Sequence, residues 1–533
     1  MKKIHLLCWV VAAFLSPTAW AQAADADTYA GAVKRYVTAL GSNSKQTSDD
    51  AEVGLAMMPP QAFAVIEKAA EAPDLKPQAA ARLKKFLNRQ RPWTEARLRI
   101  AKIRHDEFEW NQRTALEAYG NGGHTSPKWD AAAKEAIQQF VKPGQDSDKC
   151  KQLLAGVIEA GCDDPLILYF QSRVLEITSP TQMQAVETFY RLAAEGMAKS
   201  NYPADRKFMA SLYMAKCELR LELQKTGGRA LTPQGRDAVR QPLGVAMELW
   251  PQVCKEDEPP GMLMKAAELL LDTHKNVAAD QAKVYDQIYA PLAQAMPDRP
   301  EPFLFKGIFY IAYAWDARGS GFANTVTEDG WKLFGERLDT AGQALTKAWE
   351  LDPKDPRAAT KMITVELGQG KGREVMERWF KRAMEADPDN REACKAKLYY
   401  LQPKWHGSPQ AMLQFGHDCL DSKNWYGTIP FTLIDAHDEL MAYVQDPDAY
   451  LRLPVVWQDY QSVYEPYLRA RPENNLAGSA YALLACKSGN WEIAKREFDT
   501  LGDKMEPRIF GGVEVMESYR KTAEEKGTPA AAP

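Results

Sequence analysis

The stretch LTKAWELDPKDPRAAT (345–360) returns in altered form as FKRAMEADPDNREACK (380–395). Set one above the other, they pair Ala348 with Ala383, Glu350 with Glu385, Asp352 with Asp387, Pro353 with Pro388 and Ala358 with Ala393. A small Ala lets two helices approach closely. An Asp-Pro turn ends one helix and launches the next. The pair therefore predicts two copies of one helix–turn–helix unit.

The same shape recurs more weakly on either side. Residues 284–315 (VYDQIYAPLAQAMPDRPEPFLFKGIFYIAYAW) read as helix, Pro/Asp turn, helix. Arg471-Pro472-Glu473-Asn474-Asn475 leads into an apolar run that ends at Gly489, and GNWEIAKREF (489–498) starts another helix. Strand signals are almost absent: no alternating β-branched run flanks Asn-Gly or Asp-Gly. Helical spacing is widespread, as in Leu83, Phe86 and Leu87, or Leu413, Gly416 and Leu420. The expectation is an all-α chain of tetratricopeptide-like helical-hairpin repeats, stacked as an α-solenoid with a concave face. Along the chain this reads as a leader (1–23), an N-terminal helical region (24–145), a central helical-hairpin region (146–300), the clearest repeats (301–520) and a disordered tail (521–533).

The N-terminus places Lys2 and Lys3 before a short apolar run, then Pro17 and two small-x-small sites, Ala19-Trp20-Ala21 and Ala21-Gln22-Ala23. That is the pattern of a cleaved secretory leader, so the expected location is the periplasm or outside the cell. No later apolar run is long enough to span a bilayer. Phe303–Trp315 is interrupted by Lys306 and reads as a buried helix.

The 533 residues carry 67 Lys+Arg against 71 Asp+Glu, a net charge of −4, which becomes −6 without Lys2 and Lys3. A dedicated nucleic-acid binder would show a basic excess, so no nucleic-acid partner is expected. Cys150, Cys162, Cys217, Cys254, Cys394, Cys419 and Cys486 remain after Cys8. An odd count leaves one thiol unpaired. Cys150 and Cys162 flank an apparent helix, so about 18 Å separates them, beyond the reach of a disulfide. Buried free thiols are expected.

Segment 301–505 resembles a bacterial, tetratricopeptide-like domain family of unknown function. The residues that carry the resemblance are ARGSGFANTVTEDGW (317–331), AWELDPKDPRAA (348–359), EVMERWFKRAMEADPDNREACKAKLYYLQPKWHGS (374–408) and FGHDCL (415–420). The resemblance implies an α-solenoid and no activity. Tetratricopeptide similarity in general implies protein or peptide binding.

Motifs for chemistry are missing: there is no GxSxG, HExxH, CxxC, Walker A loop or GxGxxG. Gly368-Gln369-Gly370-Lys371-Gly372 lacks a preceding strand and reads as a helix–helix turn. No cofactor and no metal site is expected. The most unusual stretch is 316–331. It is long for a turn within a repeat, carries three glycines, and is flanked by Trp315 and Trp331. Trp315, Asp316, Arg318, Asn324 and Trp331 are candidate partner-binding residues, joined by Trp405 and His406 in KWHGSP (404–409). Trp anchors interfaces, and Trp315, Trp331, Trp405 and Trp425 sit at helix ends or in loops. Trp349, Trp379 and Trp491 fall at periodic positions, where they would lock helices together.

The residues also leave two other functions open. His406, His417, Asp435 and His437 suggest an enzyme with a His/carboxylate site. Residues 82–104, with nine basic residues against Glu95, suggest an adaptor with weak contact to an anionic membrane surface. The favoured reading is a scaffold for an unidentified protein or peptide.

Overall fold

The computed structural model describes residues 26–142, 147–175 and 180–527. The leader expected over 1–23 lies outside the described residues. Every regular element among them is a helix, twenty-five of them α-helices, and no strand occurs. None of these helices is long and apolar enough to cross a membrane. Phe303–Trp315 lies within helix Pro300–Arg318, where Leu304, Phe305, Phe309 and Ile311 are buried.

The chain divides into two compact units: residues 1–99 with 354–533, and residues 100–353. The boundary near residue 100 falls inside one 46-residue helix, Pro77–Gly122, which continues through Pro92.

The first unit takes its core from both ends of the chain. Helix Ala26–Leu40 buries Tyr29, Val33, Val37 and Leu40 at helical spacing. Helix Pro77–Gly122 adds Leu83, Phe86 and Leu87, the triplet whose spacing announced a helix. These residues share one apolar core with Phe431, Tyr464, Tyr481 and Phe498 from the C-terminal helices. Polar ties repeat that pairing: Arg469 bonds Asp50 at 2.8 Å, and Arg471 donates to the Met57 carbonyl at 3.1 Å. Gly416 explains itself here. A Cβ on it would sit 2.9 Å from the Leu433 Cα, so only hydrogen lets helix Pro409–Asp421 lie this close to helix Thr432–Leu440.

The two aligned segments repeat in backbone detail. The Asp352 and Asp387 amides close their helices on the carbonyls of Ala348 (3.1 Å) and Ala383 (2.9 Å). The next helices are then capped by Asp355, which accepts from Arg357 N, and Asn390, which accepts from Ala393 N. The glycine-rich stretch is a helix–helix turn: Gly370 ends helix Pro356–Gln369 at φ 63°.

The second unit packs helix Pro300–Arg318 against helix Glu328–Leu351, with Gly307 leaving room for Leu345. A separate core gathers Tyr119, Ile137, Leu154, Phe170 and Met214.

Three expectations need correction. Residues 521–526, expected in the disordered tail, form the end of helix Val513–Lys526, which buries Met516 and Ala523. Trp425, expected at an exposed loop position, is 4% exposed inside the first unit's core. The stretch 316–331 is shorter as a loop than it reads, because 316–318 and 328–331 are helix ends and 319–327 alone leaves the α-helices. Trp379 is buried as its position predicts, whereas Trp349 and Trp491 are half-buried. The seven cysteines are buried free thiols.

Candidate recognition surface

The irregular segment of the second unit is built by its end residues. Helix Pro300–Arg318 stops because Gly319 takes φ 73° and donates back to the Trp315 carbonyl at 2.9 Å. Helix Glu328–Leu351 starts because the Thr327 hydroxyl accepts from Gly330 N at 3.0 Å. Gly330 lies under the Ala317 carbonyl, where a Cβ would approach to 2.9 Å. The two helix ends are thereby clamped together.

Arg318 organises the surface between them. Its guanidinium donates to the carbonyls of Gly319 (3.1 Å) and Gly321 (3.0 Å). It also stands 5.6 Å from the ring centres of both Trp315 and Trp331. Both indoles meet Phe334 edge-on, at 4.9 and 5.8 Å. Five of the predicted residues, Trp315, Asp316, Arg318, Asn324 and Trp331, thus fall in one short stretch. Asp316 and Asn324 are exposed, and Trp331 is 41% exposed. Phe322 at the tip is 85% exposed, the most exposed large apolar side chain described. Phe322 was not singled out in the sequence. Its signal was a lone large apolar residue among Gly319, Ser320, Gly321 and Ala323.

Trp405 and His406 belong to the first unit. The Trp405 ring lies 5.9 Å from Tyr399. The His406 ring lies over Tyr400, and its Nε2 is 2.9 Å from the Leu367 carbonyl. Nε2–H therefore donates there and ties the turn to helix Pro356–Gln369. Ser408 caps the next helix by accepting from Ala411 N, with Pro409 as its first residue, as their types imply.

The histidines do not converge with His406. Asp435 pairs with Arg391. His417 and His437 instead share Asp459, at 3.4 and 2.9 Å. His437 is 1% exposed, with Nδ1 2.8 Å from the Tyr450 hydroxyl. Burial, followed by Asp459 and Asp438, pushes the Tyr450 hydroxyl up to about 12, so it is protonated at neutral pH. Both ring nitrogens are occupied by the protein. No group of three His, Cys, Asp or Glu placed to hold a metal occurs among the described residues. Asp459 and Tyr450 lay in VWQDYQ and DAYLRL (456–461 and 448–453), stretches without a motif that flagged them.

The basic segment 82–104 is largely engaged within the chain. Arg82 donates to the Leu40 carbonyl at 2.7 Å, Arg89 pairs with Glu52, and Arg91 with Glu67. Arg97 pairs with Asp389, Arg99 donates to the Lys354 carbonyl, and Lys102 pairs with Asp106.

No protein-family model matches the chain, and no curated protein matches it.

Proposed function

We propose that this protein is an exported helical-repeat scaffold, of tetratricopeptide-like solenoid type, that binds a protein or peptide partner. The contact is assigned to Phe322, Trp331, Arg318 and Trp315, with Asp316 and Asn324 as polar neighbours. The 85% exposure of Phe322, in the same short segment as the 41% exposed Trp331, carries the reading. Exposed aromatic area of this kind stays in water unless a partner covers it. Arg318 between two indoles offers the aromatic and guanidinium chemistry common at interface anchors. The matching Asp-Pro turns at 352–353 and 387–388, and the family resemblance of 301–505, support the repeat type. The small-x-small leader supports export.

An acid–base enzyme is the weaker reading. His437, the one buried histidine in a His/carboxylate pair among the described residues, has both nitrogens bonded internally at 2.8 and 2.9 Å, which suits a structural strut.

The test places a photo-crosslinking amino acid at position 322, at 331, or at the exposed control Val515, in the cell that makes the protein. Adducts from 322 and 331, but not from 515, are expected. They should disappear in the Arg318→Ala background at unchanged circular dichroism. Equal labelling from all three positions, or none, overturns the assignment.

A further inference from the structure

In the first unit a cleft of about 700 Å³ opens between helix Ala26–Leu40, helix Phe63–Ala70 and the start of helix Pro77–Gly122. That volume falls within the range of small-molecule sites. Its walls are aliphatic. Val33, Val37, Val65 and Leu75 line it together with five alanines. The alanines are the cause of the gap, because larger side chains there would fill it.

What the walls lack narrows the ligand. Among the described residues no aromatic ring lines the cleft, so a flat ligand finds nothing there to stack on. The single neutral polar side chain, Thr38, already donates to the Lys34 carbonyl at 2.8 Å. A sugar or a peptide would leave its own polar groups unmatched there.

The charges narrow it further. Lys34, Lys68 and Lys76 line the cleft and are exposed, against a single acid, Asp74. No ion pair to these three lysines is present among the described residues. On helix Pro77–Gly122, by contrast, Arg82, Arg89 and Arg91 are all spent on internal partners. An aliphatic trough with a positive excess at its rim complements a flexible apolar chain ending in an anion.

We propose that this cleft binds one long-chain fatty carboxylate, taken as a free monomer. The tail lies along the Val and Ala wall, and the carboxylate meets Lys34, Lys68 and Lys76. The site is independent of the recognition surface around Phe322 and uses none of its residues.

The experiment is calorimetric titration of the chain freed of its proposed leader (residues 1–23) with decanoate, dodecanoate and tetradecanoate, each below its micelle concentration. Saturable one-to-one binding is expected. Affinity should rise about fourfold per added methylene, the transfer value of a buried CH2. Lys34→Ala with Lys68→Ala should weaken dodecanoate by about three- to tenfold and leave dodecanol unchanged. Ala69→Trp should fill the trough and abolish both. The lysine variant alters exposed positions only, so it remains informative if Ala69→Trp misfolds. Three results overturn the proposal: no saturable binding, binding indifferent to the lysine variant, or binding to anionic phospholipid vesicles but not to monomers.

Discussion

Asp438 sits 5% exposed on helix Thr432–Leu440, and burial, with Asp435 and Glu439 adding to it, pushes its carboxyl up to about 8. In the unfolded chain an Asp titrates near 3.9. The folded state therefore holds its proton more tightly. Stability from this group is complete at acid pH and is lost as pH rises through about 8. Asp438→Asn should remove that loss. Urea midpoints of wild type and variant should diverge between pH 6 and pH 9, with the variant ahead by about 1–3 kcal/mol at the alkaline end. Parallel pH profiles would show that Asp438 is ionised at no such cost. Two of the buried thiols shift the same way. Burial pushes Cys150 and Cys162 up to about 11, so neither is a thiolate at neutral pH. Iodoacetamide at pH 7.5 should leave the seven described cysteines unmodified in the folded protein and label them in guanidinium. Rapid labelling without denaturant would contradict their burial.

Among the elements, the caps decide where helices begin. Asn390 accepts from Ala393 N at 2.9 Å, and its Nδ2 donates to the Thr360 hydroxyl at 2.8 Å. One side chain thus caps its own helix and ties it to helix Pro356–Gln369. Asn390→Ala should cost about 1–2 kcal/mol, read as a lower thermal midpoint. Asn390→Asp keeps the cap acceptor but not the donor, and should recover part of the loss. A neutral Asn390→Ala would mean that the cap contributes nothing here. These cap residues were legible in the sequence, because Asp, Asn, Ser and Thr before a helix act through atoms within three residues. Trp425 was not legible. Its place at a helix end suggested exposure, and the shared core of the first unit takes it in.

At the scale of the whole molecule, Arg97 shows what the chain order hides. Its guanidinium grips Asp389 through two nitrogens at 2.8 and 3.0 Å, bonds Asn424 at 2.6 Å and Gln90 at 3.1 Å, and stacks 4.7 Å from the Tyr426 ring. The Arg97 side chain is 6% exposed and that of Asp389 15%. Arg97→Met should cost about 3–5 kcal/mol, because the Asp389 charge stays buried without its partner. Adding Asp389→Asn should restore part of that loss in a double-mutant cycle of denaturation midpoints. A loss below 1 kcal/mol would place the pair with ordinary surface bridges.

The sequence by itself determined the all-helical class, the repeated Asp-Pro turns and most caps, because these follow from spacing and from atoms a few residues apart. It also singled out the Trp315–Trp331 stretch, whose mixture of glycines, Arg and Trp is local. Only the tertiary structure decided which basic residues of 82–104 are spent on internal partners, and that His406 stays apart from the His417–Asp459–His437 group. It alone also put the cleft beside Lys34 and joined the two ends of the chain in one core. Helical periodicity says which face of a helix is apolar, but not which of many similar faces it meets. That choice rests on shape and charge matches between residues hundreds of positions apart, such as Arg97 with Asp389 and Asp50 with Arg469.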